Sequence, residues 1–226
     1  SQRAEHNFVG TNCGIMDQFA SVMSEKGHVI LLDCQSLEYE YVPIKIEPYK
    51  ILLLNTNVTH SLASSEYNTR RQECETGVSI IKQKYSDVNS LRDVSNLMLN
   101  EFRAIMPSKI FDRCTYVVEE KKRVLEAAKA LRDNNLNLMG NLMYETHYGL
   151  RDLYEVSCPE LDFLVDFSEN YDEIIGARMM GGGFGGCTIN IIHSTKIKEF
   201  IREASQAYFN KFNKNLTYDS YICEYF

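Results

Sequence analysis

The stretch GARMMGGGFGGCTINII, residues 176–192, decides the fold prediction. Its five glycines in six positions separate two segments with strand-like patterning, which predicts two strands joined by a glycine loop. The following stretch, STKIKEFIREASQAYFNKFN (194–213), has helical periodicity, and YDSYICEYF (218–226) alternates again. Strand, strand, helix and strand form part of a split βαβ (ferredoxin-like) sheet, and KILLLN (50–55) supplies a fourth strand. The helical face consists of Ile197, Phe200, Ile201, Ala204 and Tyr208.

The middle of the chain is predicted to be a helical bundle. Apolar residues recur every three or four positions in two long segments, and Ser157 with Glu160 has the spacing of a capping box that opens another helix. Together with the sheet, these helices predict an α+β fold. The two apolar stripes consist of Cys74, Val78, Ile81 and Tyr85, and of Val117, Val124, Ala128 and Leu131.

The N-terminal quarter differs in pattern. A helix is predicted to begin near Asn12, and GHVILLDC (27–34) with EYEYVPIKI (38–46) predicts a hairpin. The turn residues in IEPYK (46–50) suggest a boundary near residue 48. We therefore expect two units, residues 1–48 and 49–226.

Composition excludes several function classes. The 226 residues carry 24 basic and 31 acidic side chains, a net charge of −7, which argues against nucleic acid or an anionic membrane as partner. No apolar run is long enough to cross a bilayer, and the first ten residues do not resemble a signal peptide. Seven scattered cysteines without a CxxC pair favour neither a disulfide framework nor a zinc site, so we expect reduced thiols and a cytoplasmic location.

Asp17 is the first candidate for chemistry. On the predicted helix, the positions three and four residues from Asp17 hold Cys13, Gly14, Ala20 and Ser21, all small side chains that leave room for a ligand. On pattern alone, an acid near a helix N-terminus is also explained by the helix dipole.

Three further features are ambiguous on their own. The glycine loop matches neither the P-loop nor the dinucleotide fingerprint, so it is either a tight turn or a close approach to a phosphate. Tyr67 stands beside Arg70 and Arg71 in a segment typical of a capped helix with exposed charges. Glu5 is a single acid, and one oxygen ligand says little about a metal.

Together, the separated motifs resemble the galactokinases of the GHMP small-molecule kinase family. The resemblance rests on AEHNFVGTNCGIMDQFASVM (4–23), NTNVTHSLASSEYNTRRQECE (55–75), ETHYGLRDLYEVSCPELD (145–162) and residues 176–192, and it covers essentially the whole chain. It implies the C-terminal portion of the GHMP fold, with residues 1–48 as a remnant of the N-terminal lobe. The implied reaction transfers the ATP γ-phosphate to the 1-hydroxyl of galactose.

The resemblance also implies roles for individual residues. Asp17 would be the base or charge partner of the hydroxyl, Gly14 and Tyr67 would contact the sugar, and Glu5 would lie where the family holds Mg²⁺. The glycine loop would be the family's third motif, packed beside the phosphate loop, and its cofactor-binding residues would be Gly181, Gly182, Gly183, Gly185 and Gly186. Such a set suits phosphoryl transfer, which depends on alignment and charge neutralisation.

The family's first sugar motif and its Gly/Ser-rich phosphate loop are not found in these residues. The resemblance therefore predicts that this 226-residue chain alone lacks kinase activity and binds ATP poorly. Two other functions stay open: a related hexosamine kinase, and a sensor that binds galactose and ATP and regulates a partner without turnover. A purely structural role for Asp17 and the loop leaves the coincidence of motifs unexplained. Oligomeric state is not predicted.

Overall fold

The computed structural model describes residues 2–4, 7–8, 10, 13–58 and 63–221, without the side chains of 63–65, 220 and 221. Short 3₁₀ helices lie at Leu91–Asp93 and Ser194–Lys196. The described helices are α1 (Gln2–Ala4), α2 (Met16–Met23), α3 (Ala63–Lys82), α4 (Asn96–Asn100), α5 (Ser108–Arg132), α6 (Leu136–Asp152), α7 (Pro159–Glu169) and α8 (Ile197–Phe212). The described strands are β1 (His28–Leu32), β2 (Tyr39–Pro43), β3 (Tyr49–Asn55), β4 (Ile174–Met179), β5 (Cys187–His193) and β6 (Thr217–Tyr221).

The main sheet has four strands in the order β4-β5-β3-β6, and every neighbouring pair is antiparallel. If β3, β4, β5 and β6 are numbered one to four, the spatial order is 2-3-1-4, which is that of a ferredoxin-like split βαβ sheet. The predicted α+β architecture is therefore confirmed. In the register of the central pair, Leu52 lies opposite Asn190 and Asn55 lies opposite Cys187. The glycine loop therefore connects β4 to β5 at the same end of the sheet where β3 ends.

One face of the sheet packs against α7 and α8. Leu52 and Leu54 of β3 alternate inward, as expected for a strand with one buried face, and meet Phe200 and Tyr208 of α8. The apolar face predicted for α8 is confirmed, because all five of its residues belong to this core or pack against it. The Tyr208 hydroxyl, fully buried, donates a hydrogen bond to the carbonyl of Thr56 at 2.8 Å. This bond ties α8 to the segment that follows β3.

The helical bundle is built mainly on α3 and α5. The predicted α3 stripe is confirmed: Ile81 is fully buried, and Cys74, Val78 and Tyr85 pack against the same core. The prediction that Val124 belongs to the buried stripe of α5 is wrong, because this residue is 45% exposed. Ala128 and Leu131 of the same stripe are buried beneath the β1–β2 hairpin. The helix α6 crosses β4 so closely that a Cβ on Gly140 would lie 1.6 Å from the Ile175 carbonyl oxygen.

Two predicted helix starts are wrong. The helix α2 begins at Met16, so Cys13 and Gly14 precede it and only Ala20 and Ser21 share its surface with Asp17. The predicted capping box at Ser157 is absent: Cys158 is the N-cap of α7 and Pro159 its first residue. The Ser157 hydroxyl donates instead to the Asp162 carboxylate.

The N-terminal hairpin forms its own sheet. Strands β1 and β2 pair antiparallel, with Val29 opposite Val42, as the sequence predicts. The division of the chain at residue 48 stays a prediction. None of the described helices has the length and apolarity needed to cross a membrane. The six cysteines in the described part of the chain are all free thiols.

Candidate functional site

The glycine loop has a backbone that glycine alone adopts readily. Gly181, Gly183 and Gly186 have φ values of 78°, 86° and 82°, and Gly185 has a φ of 137°. Positive φ costs L-residues with a side chain conformational energy, which explains why glycine occupies these positions. The sequence pattern thus encodes a specific loop shape and not a generic flexible turn.

Two glycines lie tightly against neighbouring backbone. A Cβ on Gly183 would be 2.1 Å from the Val156 carbonyl oxygen, and one on Gly185 would be 2.5 Å from that of Val58. The Phe184 N–H donates to the same Val156 oxygen at 2.7 Å, and the Gly186 carbonyl accepts from both the N–H and the hydroxyl of Thr56. The loop is therefore fixed between the α6–α7 connection and the end of β3.

The outer side of the loop carries free hydrogen-bond donors. None of the five glycine N–H groups donates to another residue in the described part of the chain, although the neighbouring Met180 and Phe184 N–H groups do. Gly181 and Gly182 are exposed, and a Cβ on Gly181 would meet nothing within 4 Å. Successive backbone donors in a loop of mixed handedness form a concavity that favours anions.

Tyr67 lies against this loop. The position of a Gly182 Cβ is 3.6 Å from Tyr67 Cδ2, so the ring of Tyr67 packs over the glycine backbone. The next residue, Asn68, donates through Nδ2 to the Gly10 carbonyl at 3.0 Å. The structure thus brings together three of the stretches that the sequence singled out: the N-terminal segment, the start of α3 and the glycine loop.

Asp17 and Gly14 lie near the start of α2, and both are exposed. Among the described residues, no hydrogen bond or ion pair engages the Asp17 carboxylate, although its backbone carbonyl accepts from the Ser21 hydroxyl at 2.7 Å. Asp17 occupies the first turn, where the helix dipole favours an acid, so the structure is compatible with both interpretations of this residue. No described contact joins Asp17 or Gly14 to Tyr67 or to the glycine loop.

Glu5, the proposed metal residue, lies outside the described residues. Within those the structure describes, no group of three or more His, Cys, Asp or Glu side chains is arranged to hold a metal ion.

Arg70 is the residue that pattern reasoning misplaced. It was expected on an exposed face with Arg71, but its side chain is only 10% exposed, whereas that of Arg71 is 53% exposed and pairs with Glu75. Arg70 donates to the carbonyls of Tyr154 and Glu155, at 2.8 and 3.0 Å. Adjacent arginines in a helix point in different directions, but their spacing alone does not show which of the two is buried.

A known protein family matches most of the second half of the chain. Residues 127–211 match the family described as "GHMP kinases C terminal". This segment is therefore similar to the C-terminal domain of GHMP kinases. In the structure, the matched segment runs from the end of α5 to the end of α8 and includes the glycine loop. The kinase resemblance seen in the sequence is confirmed for this region.

The chain is also similar to galactokinases over nearly its whole length. It is 44% identical over 218 residues to galactokinase of Thermotoga neapolitana, covering 96% of this chain and 60% of that protein. Galactokinase of Clostridium perfringens is 43% identical over 208 residues, or 92% of this chain and 54% of that protein.

A solved structure gives the same picture. The crystal structure of Lactococcus lactis galactokinase complexed with galactose superposes with a TM-score of 0.91 and 33% identity, over 97% of this chain and 56% of that one. The present chain therefore spans somewhat more than half the length of the galactokinases it resembles.

Proposed function

We propose that the full-length protein is an ATP-dependent galactokinase that transfers the γ-phosphate of ATP to the 1-hydroxyl of galactose. The similarity to galactokinases over 96% of the chain supports this assignment. The observation that carries it is the packing of Tyr67 on Gly182, because it joins the proposed sugar contact to the proposed phosphate loop.

In this proposal the glycine loop lies beside the nucleotide phosphates. Its glycine N–H groups have no acceptor among the described residues, Gly181 and Gly182 are exposed, and phosphate oxygens are strong acceptors for such donors. The loop is fixed by Val156, Val58 and Thr56 before any ligand arrives, so little ordering free energy is lost on binding. Gly181 and Gly182 provide the exposed part of this loop, whereas Gly183 and Gly186 are half-buried and Gly185 is buried.

The sugar would lie between Tyr67 and the start of α2. Gly14 offers close approach to its backbone, and the Tyr67 hydroxyl offers one hydrogen bond. The Asp17 carboxylate is exposed and unengaged among the described side chains, so it is available to orient the 1-hydroxyl and to accept its proton as the phosphoryl group is transferred.

Magnesium enters the proposal only as the partner of ATP. When bound, Mg²⁺ neutralises phosphate charge during transfer, and Glu5 is the residue proposed to lie near it. Mg²⁺ usually keeps several waters and takes one or two protein carboxylates, so a single acid is enough for this role.

The experiment is a galactose-dependent ADP assay on the full-length protein with Asp17→Asn and Tyr67→Phe. Asp17→Asn should lower kcat at least about 100-fold, since it removes a proton acceptor and a charge partner of the reacting hydroxyl. Tyr67→Phe keeps the ring on Gly182 and should raise the KM for galactose about fivefold, the effect of one hydrogen bond. Asp172→Asn and Tyr218→Phe, both at exposed positions, are the matched controls.

The same assay separates the alternatives. Binding of galactose and ATP without turnover in the wild-type protein would replace the kinase by a regulatory sensor. Faster phosphorylation of N-acetylgalactosamine than of galactose would replace it by a hexosamine kinase. If Asp17→Asn retained full turnover and stability, Asp17 would have no part in the chemistry.

A further inference from the structure

An arginine–glutamate network holds the α6–α7 connection, which packs against the glycine loop. None of the sequence motifs indicates this network. Its central residue is Arg113 of α5, whose side chain is 1% exposed. Arg113 donates to Glu73 of α3 through Nε at 3.1 Å and to Glu155 through Nη2 at 2.7 Å. It also donates to the carbonyl of Leu153. One buried cation thus joins two helices to the segment 153–156, the connection between α6 and α7.

Arg70 completes the network from the side of Tyr67. Arg70 lies one turn after Tyr67 and one turn before Glu73 in α3. It donates to the carbonyls of Tyr154 and Glu155, and its Nη1 lies 3.5 Å from Glu73. Two guanidinium groups therefore satisfy the carbonyls of three successive residues, 153, 154 and 155. A connecting segment with its carbonyls held in this way has little freedom to shift.

The next residue in the segment is Val156, which contacts the glycine loop directly. Its carbonyl accepts the Phe184 N–H and lies 2.1 Å from the position of a Gly183 Cβ. A displacement of Val156 must therefore move Gly183 and Phe184. An unbroken series of contacts therefore links the network to the loop. Arg113 binds Glu155, Glu155 is bonded to Val156 in the chain, and Val156 packs against Gly183.

Glu155 is the residue through which this support can be tested. Its φ is 52°, a left-handed conformation that a non-glycine residue adopts only where surrounding contacts hold it. Its side chain is 46% exposed, so the carboxylate contributes little to the core. The hydrogen bond from Arg113 holds the pKa of the Glu155 carboxyl below its ordinary value, which favours the ionised form beside Arg113.

We propose that Glu155, acting through Arg113 and Val156, is a positioning residue that holds the glycine loop in its anion-binding shape. This inference rests on the proposed function in taking the phosphates of ATP as the anion. Glu155 does not touch the nucleotide in this scheme. Its loss loosens the loop from behind and weakens nucleotide binding without altering the sugar contacts.

The test uses Glu155→Ala in the full-length protein, with Glu75→Ala as the matched control. Glu75 also forms an ion pair, with Arg71 of α3, but both partners are more than half exposed. In Glu155→Ala, we expect exchange of the Phe184 amide hydrogen, which is bonded to the Val156 carbonyl, to accelerate about fivefold. The Kd and KM for ATP should rise by a similar factor, comparable to one net hydrogen bond, while the KM for galactose stays unchanged.

Glu155→Gln is the conservative variant, since it retains an acceptor oxygen for Arg113 and should restore most of the ATP affinity. Unchanged exchange of the Phe184 amide in Glu155→Ala would overturn the inference, whatever the activity. Accelerated exchange with unchanged ATP affinity would also overturn the inference. Glu155 would then fix the loop, but ATP binding would not depend on the shape of the loop. A wild-type protein that binds no ATP would refute the proposed function, and the nucleotide role of Glu155 with it.

Discussion

A Cβ at Gly183 should be far more damaging than one at Gly181, although both glycines have nearly the same φ, 86° and 78°. Alanine at either position must adopt a left-handed backbone, which costs about 1–2 kcal/mol. At Gly181 nothing lies within 4 Å of the added methyl group, so this conformational cost is the whole effect. The pair therefore separates backbone strain from steric contact within one loop.

At Gly183 the methyl group meets atoms that cannot rotate away. The Val156 carbonyl oxygen must move from 2.1 Å to at least 3.0 Å, and the Met179 methyl at 2.9 Å must also yield. This displacement breaks the Phe184–Val156 hydrogen bond and leaves a buried carbonyl unpaired, which adds about 2–3 kcal/mol to the backbone cost. We therefore expect Gly183→Ala to lose about 3–5 kcal/mol in total.

The assay is thermal unfolding of the full-length variants. A loss of 1 kcal/mol lowers Tm by about 2–4 °C in a domain of 150–250 residues, so Gly183→Ala should unfold at least about 4 °C below Gly181→Ala. Equal Tm values for the two variants would refute the packing of the loop on Val156. A larger loss in Gly181→Ala would refute the exposure of that part of the loop.

Three further predictions test other parts of the structure. Gly140→Ala should prevent native folding, because its Cβ would lie 1.6 Å from a β4 carbonyl oxygen; circular dichroism and the soluble yield of the variant measure this. Cys34 is exposed and should react with a maleimide at pH 8 in the native protein, whereas burial raises the pKa of the Cys114 thiol to about 12, so mass spectrometry should find Cys114 labelled only in denaturant. Hydrogen bonds from Lys84 and Tyr85 lower the pKa of Glu101 below 4.5, so Glu101→Gln should reduce Tm at pH 7, and the deficit should vanish as pH falls through the lowered pKa.

Hydrophobic periodicity predicted most of the fold. The sheet and the α3 and α8 faces follow from period-two and period-3.6 patterns, because each element has one face on a shared core. The pattern gave wrong predictions where a helix cap or the burial of a side chain depended on tertiary contacts. Ser157 has the spacing of a capping box, but its hydroxyl bonds to Asp162. Val124 belongs to the apolar stripe of α5 but is 45% exposed, although Ala128 and Leu131 further along the helix are buried.

The residues of the candidate site were predictable from the sequence, but the buried arginines that hold the neighbouring backbone were not. Tyr67 and the glycines stand out as residues, and the structure places them in contact. Arg70 and Arg113 could not be recognised, because each looks like an ordinary helical charge until the α6–α7 connection is placed beside it. Burial of a charge is a property of the assembled fold, so no spacing within α3 or α5 reveals it.

The most direct test of the proposed function is phosphorus NMR of the product that the full-length protein forms from galactose and ATP. We predict a single sugar phosphate carrying its phosphoryl group on the 1-hydroxyl, formed with an equal amount of ADP and at least about 100-fold more slowly by Asp17→Asn than by Asp172→Asn. Phosphate at another hydroxyl, or ADP formed equally well without galactose, would contradict the account.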